Sequence, residues 1–178
     1  DERYSGPTPV EPIGAGDTTS GPEPSEETGE TYNHLTTWDS VRDIVDHPAF
    51  EGFGHTILPW DDNARYYDTP LNNVGRLMPY HNHVDPDIVV GALNHMIDEV
   101  SDGKTIFYGF YTDEQLQQDP DRANTGLFFF KGHSDAPFAI VCPGGGFSYV
   151  GSLHEGFPLA QELSKKGYNA FVIRYRIG

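Results

Sequence analysis

Positive charge and cysteine are what this chain lacks most. Eleven Lys and Arg stand against 27 Asp and Glu, a formal net charge of -16. A balance this acidic repels phosphate backbones, so nucleic-acid binding through a basic face is not expected. The single cysteine, Cys142, permits no internal disulfide and leaves the compartment open on that ground. Long hydrophobic runs are missing as well. Nothing approaches the roughly 18 consecutive apolar residues that a spanning helix needs, and mean hydropathy is -0.52, so no transmembrane span is expected. Also missing are an internal repeat, a Cys cluster, an HExxH pair, an EF-hand spacing, a GxGxxG fingerprint and a Walker A sequence.

What is present amounts to one domain's worth of chain, 178 residues, in three parts. Residues 1–30 hold five Gly, five Pro and eight acidic residues against one Arg and four apolar side chains, Tyr4, Val10, Ile13 and Ala15. Such a segment cannot bury enough surface to offset its ordering entropy, and it reads as a disordered acidic linker. It carries -7 of the total charge, so the remainder is only moderately acidic. A spacer of this kind suits an exported protein, extracellular or in the cell envelope and possible as a lipoprotein; an interaction tail that orders on a partner is the alternative. Residue 1 is Asp rather than Met, as expected where a signal peptide or pro-segment has been removed.

Residues 31–104 read as a helical and irregular extension. Trp38, Val41, Ile44 and Val45 share a helical face, Thr36 with Asp39 resembles a capping box, and Pro48 stops the run. Residues 51–84 keep no period and read as an irregular excursion with aromatic anchors. Asp85 followed by Pro86 is an N-cap with proline at the first helical position. Ile88, Val89, Ala92, Leu93, Met96, Ile97 and Val100 then hold one apolar face as far as Asp102-Gly103.

Residues 105–178 alternate strand and helix. Thr105–Tyr111 and Leu127–Lys131 read as strands joined by a charged, partly helical connection. Phe138–Cys142 and Asn169–Tyr175 read as buried strands, with Cys142 a small buried hydrophobe. Between the last two, Phe157, Leu159, Ala160 and Leu163 fit a helix that ends near Lys165-Lys166-Gly167. Strand, glycine loop, helix and strand in this order predict an α/β sheet with a right-handed crossover.

The densest chemical signal is Pro143-Gly144-Gly145-Gly146-Phe147, directly after a predicted strand. Three glycines let backbone amides approach a ligand and adopt dihedrals closed to other residues. At the C-terminal end of a parallel strand the loop lies where open α/β sheets bind ligands. It can serve as a phosphate cradle, though no Lys follows at the needed spacing. It can equally be a structural turn, or an oxyanion hole whose N–H groups stabilise the alkoxide formed when a nucleophile attacks an ester carbonyl.

The segments Phe138–Gly151, His154-Glu155-Gly156-Phe157-Pro158 and Lys166–Arg176 together resemble the first half of an α/β-hydrolase. The likeness is to the esterase and lipase branch that includes acetylxylan and feruloyl esterase-like enzymes. Members carry His-Gly-Gly-Gly or Pro-Gly-Gly-Gly after the third strand, and a later strand ending in Tyr-Arg. The resemblance implies a three-layer α/β/α core in which Thr105–Tyr111 and Leu127–Lys131 form the antiparallel start of the sheet. It implies Gly145 and Gly146 as oxyanion donors, with Phe147 and His154 at the substrate pocket. The substrate would be a small-molecule or carbohydrate ester, and no cofactor is required.

That family's remaining parts, a G-x-S-x-G nucleophile elbow followed by an acid and a His, do not occur in these 178 residues, and the resemblance puts them beyond Gly178. Ser148 is not in an elbow and sits within the expected hole rather than opposite it. The chain is thus expected to be the N-terminal portion of a serine hydrolase completed by a C-terminal segment or a second chain; the alternative is a non-catalytic binding module on the same scaffold. Among eight His residues, His81 and His83 would share a face in a strand and bind zinc with Asp85, but two ligands at that spacing are a weak set. His95 reads as a boundary residue of its helix, and His154 as a pocket, capping or solvent-facing residue. Asp61-Asp62 and Asp119-Pro120-Asp121 read as solvated turns rather than calcium ligands.

Overall fold

The computed structural model describes residues 30–61, 63–81 and 83–177. The linker assigned to 1–30, apart from Glu30, and Asp62 of the Asp61-Asp62 pair lie outside the described residues. So does Gly178, the residue beyond which the nucleophile, acid and His are expected. Four strands form one mixed sheet in the order β1-β2-β4-β3, with β1 Phe107–Tyr108, β2 Gly126–Phe130, β3 Phe138–Val141 and β4 Asn169–Arg174. β1 pairs antiparallel with β2 and β2 antiparallel with β4, whereas β3 runs parallel to β4. The antiparallel start and the parallel pair are both as the sequence predicts, and the class is α/β.

Five helices accompany the sheet: α1 Val41–Val45, α2 Gly54–Ile57, α3 Pro86–Ser101, α4 Asp113–Gln118 and α5 Phe157–Lys165. α3 begins as expected, with Asp85 Oδ1 accepting the Asp87 and Ile88 amides at 2.9 and 3.4 Å and Pro86 at the first helical position. Val89, Val90, Ala92, Leu93, Met96 and Ile97 are buried, but Ile88 of the predicted apolar face is 53% exposed. The expected irregular excursion contains short 3₁₀ turns at Ala64–Tyr66 and Leu71–Leu77, whose Leu71, Val74 and Leu77 are buried.

Several expectations are corrected. The first helix starts later than Thr36: Ser40 donates its backbone N–H and its hydroxyl to Asp43 Oδ2, both at 2.7 Å, while Thr36 and Asp39 close the turn before it. Trp38 therefore lies outside the helix and is 82% exposed. The strand expected over Thr105–Tyr111 shortens to two residues, and Cys142 falls just past β3 and is exposed. β3 itself is not buried: Phe138 and Ile140 are 68% and 56% exposed.

The reason is the layering. Phe128 and Phe130 of β2 lie opposite Val172 and Ala170 of β4, on the face covered by α3 and α5. Phe157 of α5 meets Phe128 edge-on with ring centroids 4.8 Å apart, and His95 of α3 stacks on Phe130 at 5.8 Å. The opposite face, with Leu127, Phe129, Phe138, Ile140, Phe171 and Ile173, is only partly covered among the described residues. Among the described residues α3 and α5 pack on one face of the sheet, and α4 contributes no buried residue.

Candidate functional site

The parallel pair β3–β4 delivers the glycine loop and its supports to the same end of the sheet. As β4 ends, the Tyr175 hydroxyl donates to the Pro143 carbonyl at 2.6 Å, and burial pushes its phenol pKa up, keeping it the donor. The Gly144 amide donates to Glu155 Oε2 at 2.7 Å. The Gly151 amide donates to the Gly144 carbonyl at 2.8 Å, and the amides of Ser148 and Tyr149 converge on the Gly145 carbonyl at 3.0 and 3.3 Å. Every carbonyl from Pro143 to Gly145 is thus engaged.

The amides of Gly145, Gly146 and Phe147 are not engaged by any backbone or side-chain acceptor among the described residues. Gly146 and Phe147 are exposed, and Gly145 is half-buried. The loop reaches this shape through left-handed backbone: φ is +151° at Gly145, +60° at Gly146 and +62° at Phe147. At Gly145 a Cβ would collide with the Tyr149 carbonyl, so both dihedral and space demand glycine. Phe147, 82% exposed, stands out into solvent, and Ser148 Oγ lies 3.5 Å from the Gly146 carbonyl.

Below the loop, Tyr149 is fully buried between Trp60 and Tyr80, with ring centroids 5.1 and 6.1 Å away. Desolvation raises its phenol pKa. Arg174 is 1% exposed and ties β4 to the extension, Nη1 donating to the Pro59 carbonyl at 3.0 Å and Nη2 to Asp61 Oδ1 at 2.7 Å. Pro59 also accepts the Val150 amide at 2.9 Å, so one carbonyl links the extension to both the glycine loop and the sheet.

His154 is not solvent-facing. It lies in the π-helical turn Ser152–Gly156 ahead of α5, with its side chain 7% exposed. Its pKa falls below the ordinary 6.5, chiefly from desolvation and then from the neighbouring His81. Glu155 Oε1 lies 3.5 Å from His154 Nε2 and 3.4 Å from His81 Nε2. The weak His81–His83–Asp85 set does not assemble: residues 81 and 83 are not in a strand, and Asp85 is used in capping α3.

His81 instead meets His154 and Glu155, the one group of three potential metal ligands among the described residues. A surface groove of about 660 Å³ runs from His154 and Glu155 between α3 and α5, lined by Ile88, Gly91, Leu159 and Glu162. Sequence reasoning names Gly145, Gly146, Phe147 and His154 and misses Glu155, Tyr175 and Arg174. The only signal for Glu155 is its place beside His154 in the same short motif. The triad expected beyond Gly178 falls outside the described residues. Compared with family models, curated proteins and solved structures, the chain gives no match in any of the three.

Proposed function

We propose that this chain is the N-terminal portion of a serine hydrolase cleaving carboxylic esters, supplying the oxyanion hole from Gly145 and Gly146. The nucleophile, acid and His would come from outside these residues. The observation that carries this reading is a loop whose carbonyls from Pro143 to Gly145 are engaged and whose successive amides at Gly145, Gly146 and Phe147 are free among the described residues. With no protein acceptor among the described residues, these three N–H groups are open to water or to a ligand oxygen.

In that reaction a serine oxygen, giving its proton to the His expected outside these residues, attacks the ester carbonyl; the C=O electron pair moves onto oxygen, and the resulting alkoxide accepts hydrogen bonds from the two glycine N–H groups. The alkoxide then collapses as the leaving oxygen takes that proton and departs as the alcohol, and water hydrolyses the acyl-enzyme. Because the donors are fixed before the reaction, they need no reorganisation as charge develops. A donor of this kind is worth about 10²–10³ in turnover. Phe147 and His154 flank the loop and would border the acyl or alcohol pocket. The half-exposed outer face of the sheet is consistent with a third layer supplied by the completing segment. A small-molecule or carbohydrate ester as substrate rests on the resemblance alone, and an extracellular or cell-envelope location rests on the composition of residues 1–30.

The test is labelling of the native protein with a fluorophosphonate serine probe, followed by denatured intact-mass measurement. A label on a serine of a polypeptide continuous with this chain, or co-purifying with it, is expected, and Gly146→Ala should slow labelling at least tenfold. A 19.8 kDa species that purifies alone and takes no label would overturn the catalytic reading and leave a binding module.

A further inference from the structure

We propose that His81, His154 and Glu155 form a binding site for a divalent transition metal of the zinc type, seated beneath the glycine loop. Each offers one ligand atom, and the three atoms lie within 4.8 Å of one another. The Nε2 atoms of His81 and His154 face the same carboxylate oxygen, Glu155 Oε1, at 3.4 and 3.5 Å. Charge-assisted N–H···O hydrogen bonds settle at about 2.7–2.9 Å, well inside these separations. Ligand atoms bound at about 2.0–2.1 Å to the corners of a tetrahedral zinc stand roughly 3.3–3.4 Å apart. The two edges at Glu155 Oε1 have the spacing of donors around a common centre.

A second observation is independent of those distances. The His154 side chain is more than nine-tenths buried, and neither ring nitrogen has a hydrogen-bond partner among the described residues. A buried imidazole without a partner carries the full desolvation cost of its polar atoms. A cation at the centre of the cluster would engage Nε2 and remove part of that cost. The rings of His81 and His154 meet at 62° with centroids 4.0 Å apart, so the two imidazoles are already adjacent.

The donor set argues for the class of metal. Two imidazole nitrogens and one carboxylate suit zinc and its first-row neighbours, whereas calcium and magnesium favour oxygen alone. Glu155 is divided between two tasks: Oε1 faces the cluster while Oε2 accepts the Gly144 amide at 2.7 Å. Such a supporting bond orients a ligand carboxylate and here couples the metal to the glycine loop. His81 and Glu155 are each about one-third exposed, which leaves a fourth position open to water or another oxygen ligand. The inference does not depend on the ester-hydrolase reading.

The experiment takes the 178-residue chain freed of metal by a chelator and titrates it with zinc alone, by calorimetry, and with cobalt(II), by visible absorption. One ion per chain and the absorption of low-coordinate cobalt are expected. His81→Ala, at a partly exposed site outside the helices and strands, should weaken binding beyond the roughly 10- to 100-fold that a supporting residue costs. His83→Ala should leave it unchanged. Because His154→Ala removes a buried side chain and can unfold the π-helical turn, the His81→Ala and His83→Ala pair decides the matter. No stoichiometric binding, binding indifferent to His81→Ala, or binding lost with His83→Ala would overturn the site.

Discussion

On one face of the sheet Phe128 and Phe130 lie beside Val172 and Ala170, all at most 1% exposed beneath α3 and α5. On the other, Phe129 and Phe171 stack with centroids 4.8 Å apart, and Phe138 and Ile140 remain 68% and 56% exposed. The two sets have nearly the same composition and alternate along the same strands. Their difference is therefore not one of residue type but of what the rest of the chain lays over them. A strand apolar on both faces belongs in a sheet covered on both, and among the described residues the face with Phe157 and His95 above it is the more fully covered. The covered face also carries the buried cation Arg174, which shares the Pro59 carbonyl with the Val150 amide that follows the glycine loop.

The contrast is sharpened most by Arg174→Ala. The substitution empties a site that is 1% exposed, removes the bond to the Pro59 carbonyl and leaves Asp61 without its partner. Breaking a buried pair typically costs about 3–5 kcal/mol. Since Asp61 is partly exposed, the lower end of that range is expected, read as a fall in the urea midpoint with unchanged slope. A loss below about 0.5 kcal/mol, the size of an ordinary surface substitution, would show that the covered face does not depend on this tie.

A milder pair compares the faces directly. Val172 is fully buried on the covered side, and Val172→Ala should cost about 1–2 kcal/mol through lost burial and the space left behind. Ile140→Thr, on the other side, should stay within about 0.5 kcal/mol and reduce self-association, because it shrinks an exposed apolar patch. Denaturant midpoints and sedimentation at two concentrations measure both. A stability loss at Ile140 equal to that at Val172 would break the comparison and mean that the outer face is covered.

How much of this is legible in the sequence depends on whether a local rule fixes it. α3 can be read because Asp85, Pro86 and an apolar face at helical spacing all agree. The glycine loop can be read because Pro143-Gly144-Gly145-Gly146 follows a strand, and the structure gives Gly145 and Gly146 the dihedrals that glycine adopts most readily. Which face of the sheet is covered cannot be read: Phe138, Ile140, Phe171 and Ile173 are as apolar as Phe128, Phe130, Ala170 and Val172, so alternation carries no sign. For the same reason Arg174, next to the apolar run Phe171–Ile173, gives no hint that it is buried. His81 meets His154 and Glu155 across the whole of α3 and the first three strands, a pairing set by packing that no spacing encodes.

The covered face also makes a smaller prediction in pH. His55 and His95 are both half-buried, and in both the pKa lies below the ordinary 6.5. Desolvation is the main cause in each; for His55 the Arg174 guanidinium adds to it, while Asp61 opposes. For His95, Lys104 and Lys165 act with desolvation, and Glu99 and Asp98 act against it. The neutral imidazole is thus the form the fold prefers. Above pH 6.5 both states hold these rings neutral and the contribution is fully present. Below it the unfolded chain takes up protons that the folded chain resists, so stability declines as pH falls from 6.5 toward the lower folded values. His95→Gln and His55→Gln should each reduce proton uptake on unfolding in that window by up to about one proton, measured from the slope of unfolding free energy against pH below 6.5. Arg174→Ala should shrink the His55 share while leaving the His95 share intact, because Arg174 depresses only the first. An Ile140→Thr protein should keep the wild-type slope, since among the described residues neither of these two imidazoles rests on its face of the sheet.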